Sequence, residues 1–265
     1  MADEAITRLA SHWRAAGVSA GDMLLVHSSA GRTVRALMKA GRTATASVEA
    51  ILASFLEAVG PEGTLLLPLF NFDFASGLAF DIRSTPSRMG VLTEFGRHYP
   101  AAIRTGHPIY SFAAIGRHAE RFRGVENFSG YGSDSPFALL RAAAGKIAVL
   151  DLPDQHSMTF YHHVEECHGV PYRFHKQFEG NYTGWDGVAA RRHFGLFVRD
   201  TERGVKTFVD PMGELLWQRG FYRGDRPGQG MGLRTIEAAA LYDAVGEVIG
   251  GGRAEGLLYR IEVSA

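Results

Sequence analysis

Short continuous apolar runs constrain this chain more than any other feature. MLLVH at 23–27, TLLLPLF at 64–70, SFAAIG at 111–116 and KIAVLDL at 146–152 read as buried strands. Pro68 marks where the second ends or meets a sheet edge. Between the runs the spacing turns helical. Residues 4–16 form an amphipathic helix stopped by Gly17, and 45–59 form another stopped by Gly60-Pro61. Thr85-Pro86-Ser87 caps a helix over 89–98, and 136–144 and 158–168 are also helical. Strands and helices that alternate in this way give a layered α/β arrangement. The last third differs. HFGLFVRD, VKTFVD, ELLWQRG and LLYRIEV alternate as antiparallel strands do, interrupted by one helix over about 233–249. The prediction is α/β for two thirds of the chain and α+β for the rest. No linker divides them, so residues 1–265 are expected to form a single domain.

Composition narrows the function classes. With 46% hydrophobic residues, 17 Phe, 9 Tyr and 3 Trp, the chain has what a packed core needs and is not disordered. No apolar stretch approaches the roughly 18–20 residues of a membrane span. The N-terminal MADEAITRLASHWRAAG mixes charge with apolar residues at helical spacing, unlike a secretory signal. One cysteine excludes an internal disulfide and suits a cytoplasmic protein. The 28 basic and 28 acidic side chains cancel, which gives no electrostatic case for nucleic acid or an anionic membrane. Thirty-two glycines, about 12% of the chain, exceed the usual share of roughly 7%. They are scattered at the ends of short elements as turns require.

The densest polar cluster is SMTFYHHVEECHG at 157–169. On a helix His162 and Glu165 share a face, and His163 with Glu166 repeats the relation one step round. A carboxylate beside an imidazole fixes its tautomer and raises its basicity, as a general base requires. The same residues also fit a solvated face of ordinary ion pairs. A metal-dependent hydrolase using His162, Glu165 and His107 is a further reading, although no second HxxE and no HExxH accompanies them. Cys167 as a nucleophile is weaker still, since single cysteines are usually inert. HSSAGR at 27–32 follows a buried strand, where α/β folds bind ligands. Ser135 stands where it would cap a helix begun by Pro136, an end that could also cradle phosphate. No GxxxxGK[ST] and no strand-linked GxGxxG occurs, so nucleotide hydrolysis and dinucleotide redox lose support.

Six segments, taken in order, resemble the aminoglycoside 3-N-acetyltransferase (antibiotic N-acetyltransferase) family. They are VHSS at 26–29, GTLLLP at 63–68, TPSRMG at 85–90, HPIYSFAAIG at 107–116, GSDSPF at 132–137 and MTFYHHVEE at 158–166. The resemblance implies a mixed central sheet flanked by helices, distinct from the GNAT fold. It also implies acyl transfer from acetyl-CoA or another acyl-CoA to an amine, with no metal. The family's T-x-x-H-x-x-E pattern falls on Thr159, His162 and Glu165, with His163 and Glu166 as a competing frame. By the same resemblance His27, Ser28 and Ser29 lie along the pantetheine arm. His107, Ser111, Ser133 and Ser135 are then contacts to coenzyme phosphates or around the thioester. Backbone N–H groups near 27–29, or Thr159, would serve the oxyanion.

Charge bears on the identity of the acceptor. A site for polycationic aminoglycosides should be acidic, yet the chain is neutral and carries Arg173, Arg191, Arg192, Arg219, Arg223, Arg226 and Arg234 in its later half. Arginine matches phosphate geometry, which points to a nucleotide-linked amino sugar ahead of an antibiotic. FNFDFASGLAFD at 70–81, GVPYRFHKQFEG at 169–180 and FVRD at 197–200 resemble members associated with amino-sugar biosynthesis. The segment GRTVRALMKAGRTATA at 31–46 departs from the resistance enzymes. Tyr172, Arg173 and Lys176 are expected acceptor contacts, and Asp73 and Asp81 would recognise an ammonium or sugar hydroxyls. A coenzyme-A-binding module without chemistry is a third class. The β edges of the last third leave room for a homodimer.

Overall fold

The computed structural model describes residues 3–262. Met1 and Ala2 of the N-terminal segment, and Val263 of the last expected strand, lie outside the described residues. The first half runs α1 (Glu4–Ala15), β1 (Met23–Ser28), α2 (Gly31–Lys39), α3 (Ala44–Val59), β2 (Thr64–Pro68), β3 (Phe80–Asp81), α4 (Val91–Arg97), β4 (Ile103–Arg104) and β5 (Phe112–Gly116). Then come α5 (Pro136–Ala142), β6 (Lys146–Leu150), α6 (Phe160–Cys167), β7 (Arg173–Thr183) and β8 (Ala189–Arg199). The chain closes with β9 (Val205–Thr207), α7 (Asp210–Gln218), β10 (Arg223–Gly224), β11 (Leu233–Glu237), α8 (Ala238–Gly250) and β12 (Tyr259–Ile261). No described helix is long and apolar enough to cross a membrane.

Within the described residues the main sheet has seven strands in the order β10-β11-β6-β1-β2-β5-β4. The three central strands, β6, β1 and β2, are parallel, and the outer ones pair antiparallel. It is thus the mixed central sheet flanked by helices that the sequence led us to expect. Side-chain alternation explains why its central strands are apolar throughout. Leu24 and Val26 of β1 pack with Leu9, Trp13 and Phe55 of α1 and α3. Met23 and Leu25 point the other way, into the layer holding Phe137, Phe160, Val164 and Leu241 of α5, α6 and α8. Trp13 stacks on Phe55 at 4.9 Å and donates its indole N–H to Ser54 Oγ at 2.8 Å. The buried ring therefore leaves no orphan donor.

The local signals act as read at several ends, and differently at others. Thr43 caps α3 by accepting from the Ala46 N–H at 3.1 Å. Thr85-Pro86-Ser87 does not cap its helix directly. The helix starts later, at Val91, and the Glu94 carboxylate reaches back to the Ser87 N–H at 2.8 Å. Ser135 occupies the N-cap of α5 with Pro136 behind it, but its buried hydroxyl has no partner. ELLWQRG is mostly the end of helix α7, with Met212 and Leu216 buried four apart, and not a strand. The helix expected over 233–249 begins only at Ala238, because Leu233–Glu237 pair antiparallel with β6. The segment at 31–46 contains helix α2, which its polar composition concealed. The 173–183 stretch is β7, paired with β8 through eleven registered positions from Arg173↔Arg199 to Thr183↔Ala189.

Gly116 is required by both its dihedral and its surroundings. Gly116 ends β5 at φ +121°, and a Cβ there would fall 2.4 Å from the Gly63 carbonyl oxygen. Gly77 also has positive φ (+87°) but nothing within 4 Å. Gly116→Ala is therefore expected to lose about 1–3 kcal/mol beyond the Gly77→Ala loss. The check is a urea midpoint shift at unchanged m. Equal losses for the two variants would show that the β2–β5 edge yields freely.

Candidate active site

Register fixes where the site can be. Ser28 pairs with Leu150 at the carboxyl ends of β1 and β6, and Pro68 pairs with Phe112 at the end of β2. The chain therefore leaves three parallel strands at one edge, where it also enters β5 and β11. Loops gathered at such an edge are where α/β sheets bind ligands. Helix α6 follows β6 at that edge, after the turn Asp154–His156. Phe160, Tyr161 and Val164 bury its inner face, which leaves His162 partly accessible above them.

The two histidine frames separate here. His162 Nδ1 lies 2.7 Å from Glu165 Oε2, with side-chain exposures of 17% and 1%. His163 is fully buried, and its Nδ1 meets the Tyr131 carbonyl at 2.7 Å. Glu166 accepts from the Ser129 hydroxyl at 2.7 Å instead of pairing with His163. Only the first frame forms a histidine–carboxylate pair. The ionised Glu165 makes Nδ1 the protonated nitrogen of His162, so the ring's lone pair is on Nε2. Arg173, the first residue of β7, places Nε 2.7 Å from the same Oε2. Burial pushes the Glu165 carboxyl up, but Arg173 and His162 outweigh it and hold it below its ordinary value. Burial, then the Arg173 charge, lowers His162, against the pull of Glu165. Thr159 is half-buried one turn before His162, and its side chain makes no cap.

His162 opens into a cavity of about 430 Å³ whose walls include Tyr110, Tyr131, Arg173, Lys176 and Arg199, among aromatic and aliphatic side chains. Tyr131 meets the imidazole edge-on, ring centres 5.3 Å apart. Tyr110 and Tyr131 lie inside HPIYSF and next to GSDSPF, so the signal was present although neither residue stood out in the sequence. Arg199 lies in the FVRD segment at 197–200, but only the β7–β8 register brings it to this cavity.

Of the remaining candidates Lys176 lines this cavity, and the others do not. His27 is buried edge-on to Phe70, and burial, with Arg234 nearby, lowers its pKa to about 3. Ser28 is half-buried and Ser29 exposed, and the Ser29 N–H donates to the Leu150 carbonyl at 2.8 Å. That amide is therefore not a free oxyanion donor. His107 has both ring nitrogens engaged. Nδ1 accepts from the Ile109 and Tyr110 N–H groups, and Nε2 faces the Gly195 carbonyl at 3.2 Å. It cannot join His162 and Glu165 in a metal set without breaking those bonds. Ser111 is buried and accepts from Arg104 Nε at 3.1 Å. Ser133 is exposed and Ser135 buried. Asp73 is paired with Arg88 at 3.0 Å and Asp81 with Arg83 at 2.7 Å, so each already has a cation. Tyr172 packs behind Glu165, its ring 3.8 Å from that of Tyr259, and Lys176 is exposed. Cys167 has its thiol pushed up by burial, the reverse of what a thiolate nucleophile needs. Among the described residues no three His, Cys, Asp or Glu side chains converge on one metal position.

Comparison with known proteins places this geometry. Residues 25–248 match the family model described as aminoglycoside 3-N-acetyltransferase. Aminoglycoside N(3)-acetyltransferase VIII of Streptomyces fradiae is 28% identical over 219 residues, 75% of this chain and 72% of its own length. Aminoglycoside N(3)-acetyltransferase III of Pseudomonas aeruginosa is 28% identical over 176 residues, 59% of this chain and 62% of its own. In structure, AAC-IIIb in binary complex with CoASH superposes with a TM-score of 0.76 at 26% identity, covering 93% of this chain and 96% of that one. AAC-VIa bound to sisomicin shares the fold at a TM-score of 0.75 and 23% identity, with 94% and 98% covered. The chain belongs to the aminoglycoside 3-N-acetyltransferase family and is a coenzyme-A-dependent N-acyltransferase.

Proposed function

We propose that this protein, as one unit over residues 1–265, acetylates an amine of an aminoglycoside-type amino sugar, with His162 as general base and Glu165 as its orienting carboxylate. The observation that carries the reading is the His162–Glu165 pair at the cavity wall, 2.7 Å apart. Acetyl-CoA supplies the acyl group as a thioester. The amine nitrogen attacks the thioester carbonyl carbon while its proton passes to His162 Nε2. The C–S bond then breaks, and the sulfur leaves as the thiol by taking that proton back from the imidazolium. The enzyme's share is to deliver a neutral amine at the right angle. Ser28, Ser29 and Ser133 present hydroxyls that could meet the coenzyme directly. The buried His27, His107, Ser111 and Ser135 would shape its seat from below.

The acceptor follows the named relatives, which are aminoglycoside acetyltransferases. The arginine argument for a nucleotide-linked amino sugar is weakened by pairing. Arg191, Arg192, Arg219, Arg226 and Arg234 each sit within 2.9 Å of a carboxylate. One observation keeps an anionic acceptor as a second reading. The cavity is lined by Arg173, Lys176 and Arg199 and by no Asp or Glu. Thiol release from acetyl-CoA with sisomicin and with UDP-glucosamine decides between them. Release with sisomicin supports the first reading and release with UDP-glucosamine alone the second. Release with neither, in a protein that binds coenzyme A, would overturn both acceptors.

A further inference from the structure

We propose that Arg173 is a positioning residue for the acyl transfer, supplying the cation that the buried Glu165 would otherwise draw onto the imidazole of His162. This rests on His162 being the base, and it replaces the acceptor contact expected of Arg173 from sequence. Four distances carry it. Nε stands 2.7 Å from Glu165 Oε2, the oxygen that also receives His162 Nδ1 at 2.7 Å. Nη1 donates to the Phe197 carbonyl on β8 at 2.8 Å, and Nη2 lies 3.4 Å from His162 Nε2. One planar fork thus touches the carboxylate, the imidazole and the neighbouring strand together, a geometry that a lysine ammonium does not reproduce.

Charge accounting gives the fork its purpose. Glu165 is 1% exposed, and a carboxylate so buried needs a positive partner. With Arg173 present, the group of three is neutral while His162 is uncharged. Without it, neutrality is reached only by moving a proton onto His162 or Glu165. Either event disables the base, the first by filling the Nε2 lone pair and the second by removing the acceptor that fixes the tautomer. The other groups facing His162 do not substitute. Arg199 on β8 acts on His162 by charge alone and makes no ion pair with Glu165 among the described residues, Tyr131 packs from the turn before α5, and Glu166 on α6 is bonded to Ser129.

The test is an imidazole NMR titration of the full chain, with His162 assigned by its loss in His162→Asn. Wild-type His162 should titrate below the ordinary value of about 6.5. In Arg173→Met it should move up by about one pH unit or more. Arg173→Gln, which keeps a donor but no charge, should follow and serves if the Met variant does not fold. Arg173→Lys should restore most of the low value while leaving kcat reduced. Unchanged titration in both neutral variants would overturn the proposal. A loss confined to acceptor KM alongside that unchanged titration would identify Arg173 as a substrate contact instead. If His162 titration moves but the acid limb does not, the role of Arg173 in holding the imidazole neutral stands, and the reading of His162 as base fails.

Discussion

Replacing His162 with alanine is expected to lower kcat/KM for acetyl transfer about 10²–10⁴-fold, the usual contribution of a positioned general base, while coenzyme A binding stays unchanged. The fold should survive, because His162 is the partly accessible member of the pair and the core beneath it is made by Phe160, Tyr161 and Val164. Glu165→Gln tests the same arrangement through the tautomer. A glutamine amide turned toward Nδ1 can donate, which would leave the lone pair on Nδ1 and the proton on Nε2, the wrong nitrogen for accepting a proton from the amine. The Gln variant should therefore lose much of what the His162 variant loses. The two changes together should cost little more than either alone, because the residues act as a unit. Thiol release under saturating acetyl-CoA, with calorimetric coenzyme A binding alongside, measures all of it. Residual activity close to wild type in His162→Ala would remove His162 from the chemistry.

Much of this site was legible in sequence because its histidine–carboxylate pair is local. His162 and Glu165 are three residues apart on one helix, so helical geometry alone brings them together. The buried strands were legible for a similar reason, since 23–27, 64–70 and 146–152 carry their apolar pattern in a few consecutive residues. What stayed hidden depends on distant pairing. Arg173 reaches Glu165 because β7 starts beside α6, and Arg199 faces the same cavity because β8 returns in register opposite Arg173. The burial of His107 depends on Gly195, 88 residues away. His27 and Ser111 attract notice by residue type near a strand end, a signal that does not report burial. His27 within β1 and Ser111 just before β5 are both buried in the core. Asp73 and Asp81 illustrate the converse, because an acidic residue's availability turns on whether an arginine is nearby, and here Arg88 and Arg83 are.

Asp154→Ala should be the most destabilising single change near the site, at about 3–5 kcal/mol, because it strands a buried guanidinium. Asp154 follows β6 and is itself buried. Oδ1 accepts from Arg234 Nη2 at 2.7 Å, and Oδ2 accepts from the Tyr161 hydroxyl at 2.5 Å and the Tyr222 hydroxyl at 2.7 Å. Arg234 is 1% exposed on β11 and lies over the Tyr222 ring at 5.1 Å, so water cannot take the place of the carboxylate without opening the packing. A loss of that size is a large share of the 5–15 kcal/mol typical of a whole fold. Asp154→Asn keeps the shape but not the charge and should fall between wild type and alanine. Combining Asp154→Ala with Arg234→Met should cost less than the sum of the two, because the cation that made the first change expensive is gone. Urea midpoints of the four proteins give that coupling directly. Tyr161 immediately precedes His162, so the network also sets the rotation of α6. Asp154→Asn should therefore lower kcat at a temperature where it is still fully folded. A loss under about 1 kcal/mol in Asp154→Ala would mean that Arg234 reaches solvent or another acceptor, and that α6 is held by its apolar face alone.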